Sequence, residues 1–174
     1  MPITGQNVDD WVNEMARLTA RFVAGFETAY GYPPGEHHVS KAPDHGGHGS
    51  LDAALSGDLA VFYSHVDRIT LPDVGPGFFV DSAEEVTEGF DGAQPTKVIG
   101  PPDRDVVTFG SDGGGALFAI DRRTDEVVRL EGGSLVGAVY DPEERGVQVI
   151  AQGIEGYMRF LRNELMRQLP PEGR

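Results

Sequence analysis

The stretch from Asp105 to Leu130 restricts the folds open to this chain more than any other. Val106-Val107-Thr108-Phe109 and Ala116-Leu117-Phe118-Ala119-Ile120 flank Gly110-Ser111-Asp112-Gly113-Gly114-Gly115. Asp121 and the polar connection Arg122-Arg123-Thr124-Asp125 then lead into Glu126-Val127-Val128-Arg129-Leu130. The run from Ala116 to Ile120 has no polar interruption, as in a central strand covered on both faces; a strand with one wet face alternates. The connection after Asp121 is of hairpin length. The glycines at 113 to 115 permit positive φ and close approach of a neighbouring backbone. The expectation is a three-strand meander at the centre of a sheet, with the glycine loop at one end.

Around this centre the chain runs from helix to strands to helix. Val8, Trp11, Val12, Met15, Leu18, Phe22 and Phe26 recur at helical spacing, with Asn7 or Asp9 as candidate caps and Gly31 followed by Pro33-Pro34 as the stop. Leu51, Leu55, Leu59, Phe62, Tyr63 and Val66 trace a second helical pattern, with Ser50 and Ser56 as caps. Ile69-Thr70-Leu71, Phe78-Phe79-Val80 and Lys97-Val98-Ile99 read as short strands. Ser82-Ala83-Glu84-Glu85 matches a capping box that opens a short helix. The segments Ser134 to Tyr140 and Gly146 to Ile150 are further short apolar stretches. The last helix carries Ile154, Tyr157, Met158, Leu161, Leu165 and Leu169 on one face, with Glu155 and Arg159 as an exposed i, i+4 pair. Connections this short exclude repeated βαβ crossovers, so the expected class is a single-domain α+β fold with a largely antiparallel sheet flanked by helices. Its parts are an N-terminal helix packed on the domain (1–30), a flexible loop rich in Gly, Pro and His (31–50), and the main α+β domain (51–174).

The chain has 174 residues, enough for a sizeable single core, and a net charge of −14 from 28 acidic and 14 basic residues. That balance opposes nucleic acid and anionic membranes as partners and suits a cationic protein. There is no cysteine, which removes disulfides and thiolate chemistry. The first residues lack a basic and apolar leader pattern, and no run approaches a membrane span, so a cytoplasmic protein is expected.

Residues offering chemistry are few. His37, His38, His45 and His48, with Glu36 and Asp44, are ligand types for zinc or nickel. They lie in a segment of five glycines and three prolines with no apolar anchors, so a solvated loop is expected, with no metal and no cofactor. The glycine loop differs from phosphate-binding loops: a strand-like run follows it instead of a helix, no Lys follows the glycines, and Asp112 repels phosphate. A tight turn with Ser111 and Asp112 capping amides is the structural expectation. His65 has Asp67 or Asp58 as a candidate partner but no nucleophile at recognisable spacing. No pair of carboxylates stands out for acid–base work.

Phe109-Gly110-Ser111-Asp112-Gly113-Gly114-Gly115, followed by an apolar strand ending in Asp121, resembles the signature of the SUKH superfamily, which includes bacterial immunity proteins and a yeast regulator of cell-wall synthesis. Leu59 to Tyr63, Gly77 to Val86, and Ile150 with Tyr157, Phe160 and Leu161 are similar to further parts of that family, so the resemblance covers most of the chain from Leu51 onward. The long first helix and the histidine loop extend the usual family start, and Gly75-Pro76 replaces polar residues expected before Gly77. The resemblance implies a SUKH-like fold and a non-enzymatic role, the neutralising of toxins, often nucleases, by direct binding; it supplies no catalytic residues.

The leading expectation is therefore an immunity-type protein that binds a protein partner, a basic toxin among the candidates, through an acidic surface. The residues expected to make contact are Asp81, Glu84, Glu85, Glu88, Asp112, Asp141, Glu143 and Glu144. A regulatory scaffold is the alternative, and it requires an exposed Trp11/Phe22 stripe. A small-molecule or metal-binding enzyme is the second alternative, and it requires a deep polar pocket near the glycine loop or ordered histidines.

Overall fold

The structure, a computed structural model, describes residues 2–43, 55 and 57–169. In chain order its elements are α1 (Gly5–Tyr30), β1 (His38–Lys41), α2 (Gly57–His65), β2 (Val66–Leu71), β3 (Phe78–Val80), α3 (Ala83–Glu88) with a π-helical turn (Gly89–Ala93), β4 (Lys97–Val98), β5 (Arg104–Asp112), β6 (Leu117–Asp121), β7 (Glu126–Leu130), β8 (Ser134–Val136), β9 (Val139–Asp141), β10 (Val147–Gln152) and α4 (Gly153–Gln168). The expected α+β class holds. Every strand pair is antiparallel except β4 with β9.

The meander β5-β6-β7 lies at the centre. On one side of it β3, β2 and β1 follow in that order, and on the other β10 pairs with β7. Residue alternation along β5 separates two cores. Val107 and Phe109 pack with Phe118, Ile120, Val127 and the apolar faces of α1, α2 and α4. Val106 points the other way and joins Ala119, Val128, Leu130, Val98 and Tyr140. The strands β4, β9 and β8 thus form a small flap that covers the second face. This double cover is why β6 carries no polar residue before Asp121.

The stripe of α1 is buried: Trp11 is 8% exposed and Phe22 2%. The Trp11 indole N–H donates to the Met158 carbonyl of α4 at 2.9 Å. The exposed stripe that a docking helix needs is therefore not there. The cap of α1 is Thr4, with Asn7 as its third helical residue in a reciprocal capping box, because Asn7 reaches back to the Thr4 amide. Gly31 closes the helix in the left-handed region, as expected.

Three further elements differ from expectation. Val66 continues the helical spacing of α2 but begins β2, because its strand partner is Lys41. The composition of residues 31–50 predicts a loop throughout, but residues 38–41 form an edge strand. The anchor is His37, whose side chain is fully buried. Its ring packs edge-on against Phe22, its Nδ1 lies 3.0 Å from the Gly35 carbonyl, and its Nε2 accepts from the Asp73 amide. Finally, Ser134 to Tyr140 is two strands, β8 and β9, joined at Gly137-Ala138. His45, His48, Asp44, Ser50, Leu51 and Ser56 lie outside the described residues.

The glycine loop is set by its neighbours. A side chain on Gly113 would meet the Pro76 carbonyl oxygen at 2.0 Å, since the β2–β3 turn lies against the loop, and Gly115 has φ +90. Gly113→Ala is expected to destabilise the fold by roughly 2 kcal/mol or more in denaturant unfolding. The hydroxyls of Tyr63 and Tyr157 are buried without a partner among the described residues. Tyr157→Phe is therefore expected to leave stability within about 0.5 kcal/mol of the parent or to raise it; a clear loss would mean that the hydroxyl is hydrogen-bonded in solution.

Candidate partner-binding surface

The eight acids expected to make contact fall into three environments. Asp112 is the first. It ends β5 with its side chain 1% exposed. One carboxylate oxygen accepts from the amides of Gly114 (2.9 Å) and Ala116 (3.0 Å), and the other accepts from Arg129 of β7 at 2.8 and 3.1 Å. Burial pushes this carboxyl up, but Arg129 and the two amides outweigh it and hold it below its ordinary value. Asp112 therefore caps the glycine turn and is not a surface contact. The turn leaves amides without strand partners, and a short acceptor side chain at its start satisfies them.

Asp121 repeats the device at the other end of β6. It accepts from the amides of Arg123 (2.8 Å) and Thr124 (3.2 Å) and from Arg104 at 2.9 Å, and Arg104 also reaches Glu126 at 2.6 Å. Burial works against its ionisation too, and the same kind of partners again prevail.

The second environment is α3. Asp81 is half-buried, and burial first and Glu85 second raise its pKa, while Arg68 pulls the other way. Glu85 closes the expected capping box with Ser82 and pairs with Arg68 at 2.5 Å. Glu84 and Glu88 are exposed, with no ion pair or hydrogen bond of their side chains among the described residues.

The third environment is the β9–β10 turn, where Asp141, Glu143 and Glu144 are exposed. The β7–β8 loop lies against it: the Glu131 amide donates to the Gly146 carbonyl at 2.9 Å, and the Tyr140 hydroxyl donates to the Gly132 carbonyl at 2.7 Å. Burial raises the Tyr140 phenol pKa, with Glu143 and Glu131 adding to it. Glu131 thus lies beside this acidic group, ten residues before Asp141 in the chain, with its carboxylate paired to Arg129 at 2.6 Å. Beside them the flap exposes Leu135 (44%), Val136 (76%) and Val139 (36%). The α3 acids ride on an element of the first core and the turn acids on the flap of the second.

The sequence pattern does not distinguish Glu131, Leu135 or Val136 from their neighbours. The available signal was the pair of turns, Gly132-Gly133 and Gly137-Ala138, which bracket a stretch too short for one continuous core strand.

Other candidate chemistry resolves differently. The Nδ1 of His65 pairs with Asp9 of α1 at 2.9 Å, not with Asp67 or Asp58. Among the described residues no group of three or more His, Asp and Glu side chains is placed to hold a metal. A cleft of about 460 Å³ is lined in part by Asp58, Asp121, Arg122, Asp125, Gln152 and Glu155. It lies at the Asp121 end of β6, away from the glycine loop. No described helix is long and apolar enough to cross a membrane.

Comparisons with protein-family models, with curated proteins and with solved structures return no match.

The Asp112 clamp has a pH signature. A carboxyl held below its unfolded value, about 3.9 for Asp, contributes stability above that value and loses it as pH falls through the lower folded one. Asp112→Asn is expected to cost about 2–3 kcal/mol at pH 7, since it leaves Arg129 short of its partner. The loss should shrink below pH 4 in urea titrations run across pH.

Proposed function

We propose that this chain is a non-enzymatic binding module of the SUKH kind, an immunity-type protein that neutralises a basic protein toxin in the cytoplasm by occupying its cationic surface. The observation that carries the reading is where the charges go. Among the described residues seven cations pair with carboxylates of the same chain: Arg68 with Glu85, Lys97 with Asp103, Arg104 with Asp121, Arg129 with Asp112, Arg159 with Glu155, Arg162 with Glu14 and Arg167 with Glu164. Glu84, Glu88, Asp141 and Glu144 have no such partner among the described residues. Much of the positive charge is thereby neutralised internally, and the surplus of the −14 chain faces outward. Such a field speeds encounter with a cationic protein and rejects phosphate backbones.

The resemblance of Phe109 to Asp121 to the SUKH signature supports the same reading. Its Phe-Gly-Ser-Asp-Gly core has a structural purpose here, because Asp112 and the glycines build the turn.

The test is affinity capture of partners from lysate and secreted fractions at low and at high salt, with the parent and with Asp141→Asn/Glu143→Gln/Glu144→Gln. The expected result is a basic protein retained by the parent at low salt, weakened at high salt, and weakened by the triple variant. A neutral or acidic partner indifferent to salt would overturn the reading.

A further inference from the structure

The flap carries an edge strand that lacks the usual protections. Among the described residues β8 pairs with β9 alone, and all three of its residues are exposed. Natural sheets blunt such edges with lysine, proline or bulges. The edge strand β1 has Lys41 and a register break between Val39 and Lys41, and β10 has a break between Val149 and Ala151. β8 is Ser134-Leu135-Val136, with a regular register and no charge.

The register also shows which backbone groups face outward. Val136 and Val139 close the two-residue turn and form the hydrogen-bonded pair, so Leu135 and Tyr140 are the next, non-bonded pair. The Tyr140 carbonyl turns away from β8 to take the Ile99 amide at 2.9 Å. By the same alternation, the N–H and C=O of Leu135 point to the free edge.

Resting on the acidic-surface reading above, we infer that this edge takes an extended cationic segment of the protein partner as an added strand. Strand addition supplies main-chain hydrogen bonds, and the side chains alongside set the sequence taken. On the outer face Val136 and Val139 lie opposite each other, and Ser134 lies opposite Asp141. The segment that fits is extended and alternates apolar and cationic residues: its apolar face lies beside Val136, and its cations answer the carboxylates of the flap. Charge selects this occupant over a second copy. In residues 131–149 Glu131 pairs with Arg129 at 2.6 Å, and the remaining carboxylates, Asp141, Glu143 and Glu144, outnumber the single guanidinium of Arg145, so edge-to-edge pairing of two copies brings like charges together.

The test uses the full chain, a fluorescent (Lys-Val)₄ peptide, a (Lys-Pro)₄ peptide of the same charge whose prolines hold φ at about −65° and remove every second N–H, which weakens the ladder, and a (Glu-Val)₄ control, measured by anisotropy. Leu135→Pro removes the outward N–H at a place where an edge strand tolerates proline. Leu135→Ala keeps the N–H and trims the side chain, and circular dichroism confirms the fold of each variant. The expected result is binding of (Lys-Val)₄, a loss of about tenfold or more in Leu135→Pro but not in Leu135→Ala, and slower hydrogen exchange of the Leu135 amide in the complex. Equal binding of (Lys-Val)₄ and (Lys-Pro)₄, unaffected by Leu135→Pro, overturns strand addition and leaves the acidic-surface reading standing. Failure of both cationic peptides to bind, or a preference for (Glu-Val)₄, overturns both. A concentration-dependent dimer in light scattering that Leu135→Pro abolishes makes a second copy the occupant and overturns the proposal.

Discussion

A buried aspartate at each end of the central strand holds this structure together. Asp112 ties the β5–β6 turn to Arg129 of β7, and Asp121 ties the β6–β7 turn to Arg104 of β5. Each carboxylate satisfies turn amides that the strands cannot reach, and each has a guanidinium to offset its burial. A buried charge without such partners would be costly. With them, three short strands become a fixed frame, and the remaining elements pack on its two faces.

The frame explains the flap. The helices cover one face of the meander, and a small domain still has to shield Val106, Ala119, Val128 and Leu130 on the other. Three strands of two or three residues do this, held by Tyr140, whose ring fills the second core and whose hydroxyl takes hold of the β7–β8 loop. So thin a cover leaves the outer edge of its last strand unpaired among the described residues, and its turns, rich in carboxylates, at the rim. The surface proposed to bind a partner is thus a by-product of closing the second core.

Much of the frame was legible in the chain. The unbroken Ala116–Ile120 run indicated cover on both faces, and Ser82 with Glu85 forms the capping box that its spacing indicated. The glycine loop was legible as a turn, but its partner was not: the contact of Gly113 with Pro76 joins residues 37 positions apart. Other features depended on tertiary contacts in the same way. His37 looked solvated among glycines and prolines until Phe22 and Asp73 supplied its pocket. Asp112 looked like one acid among many until Arg129 came across the sheet. Glu131 joins Glu143 only because two loops pack together. Val66 fits a helical stripe and a strand equally well, and its pairing with Lys41 decides between them.

Hydrogen exchange of the full chain, free and bound to the captured partner, tests the central claim most directly. The account predicts slowed exchange concentrated in residues 131–144, with the Leu135 amide most affected and α3 little changed. Protection confined to α3, or to the cleft at Asp121 and Arg122, with the β8–β9 hairpin unaltered, would contradict it.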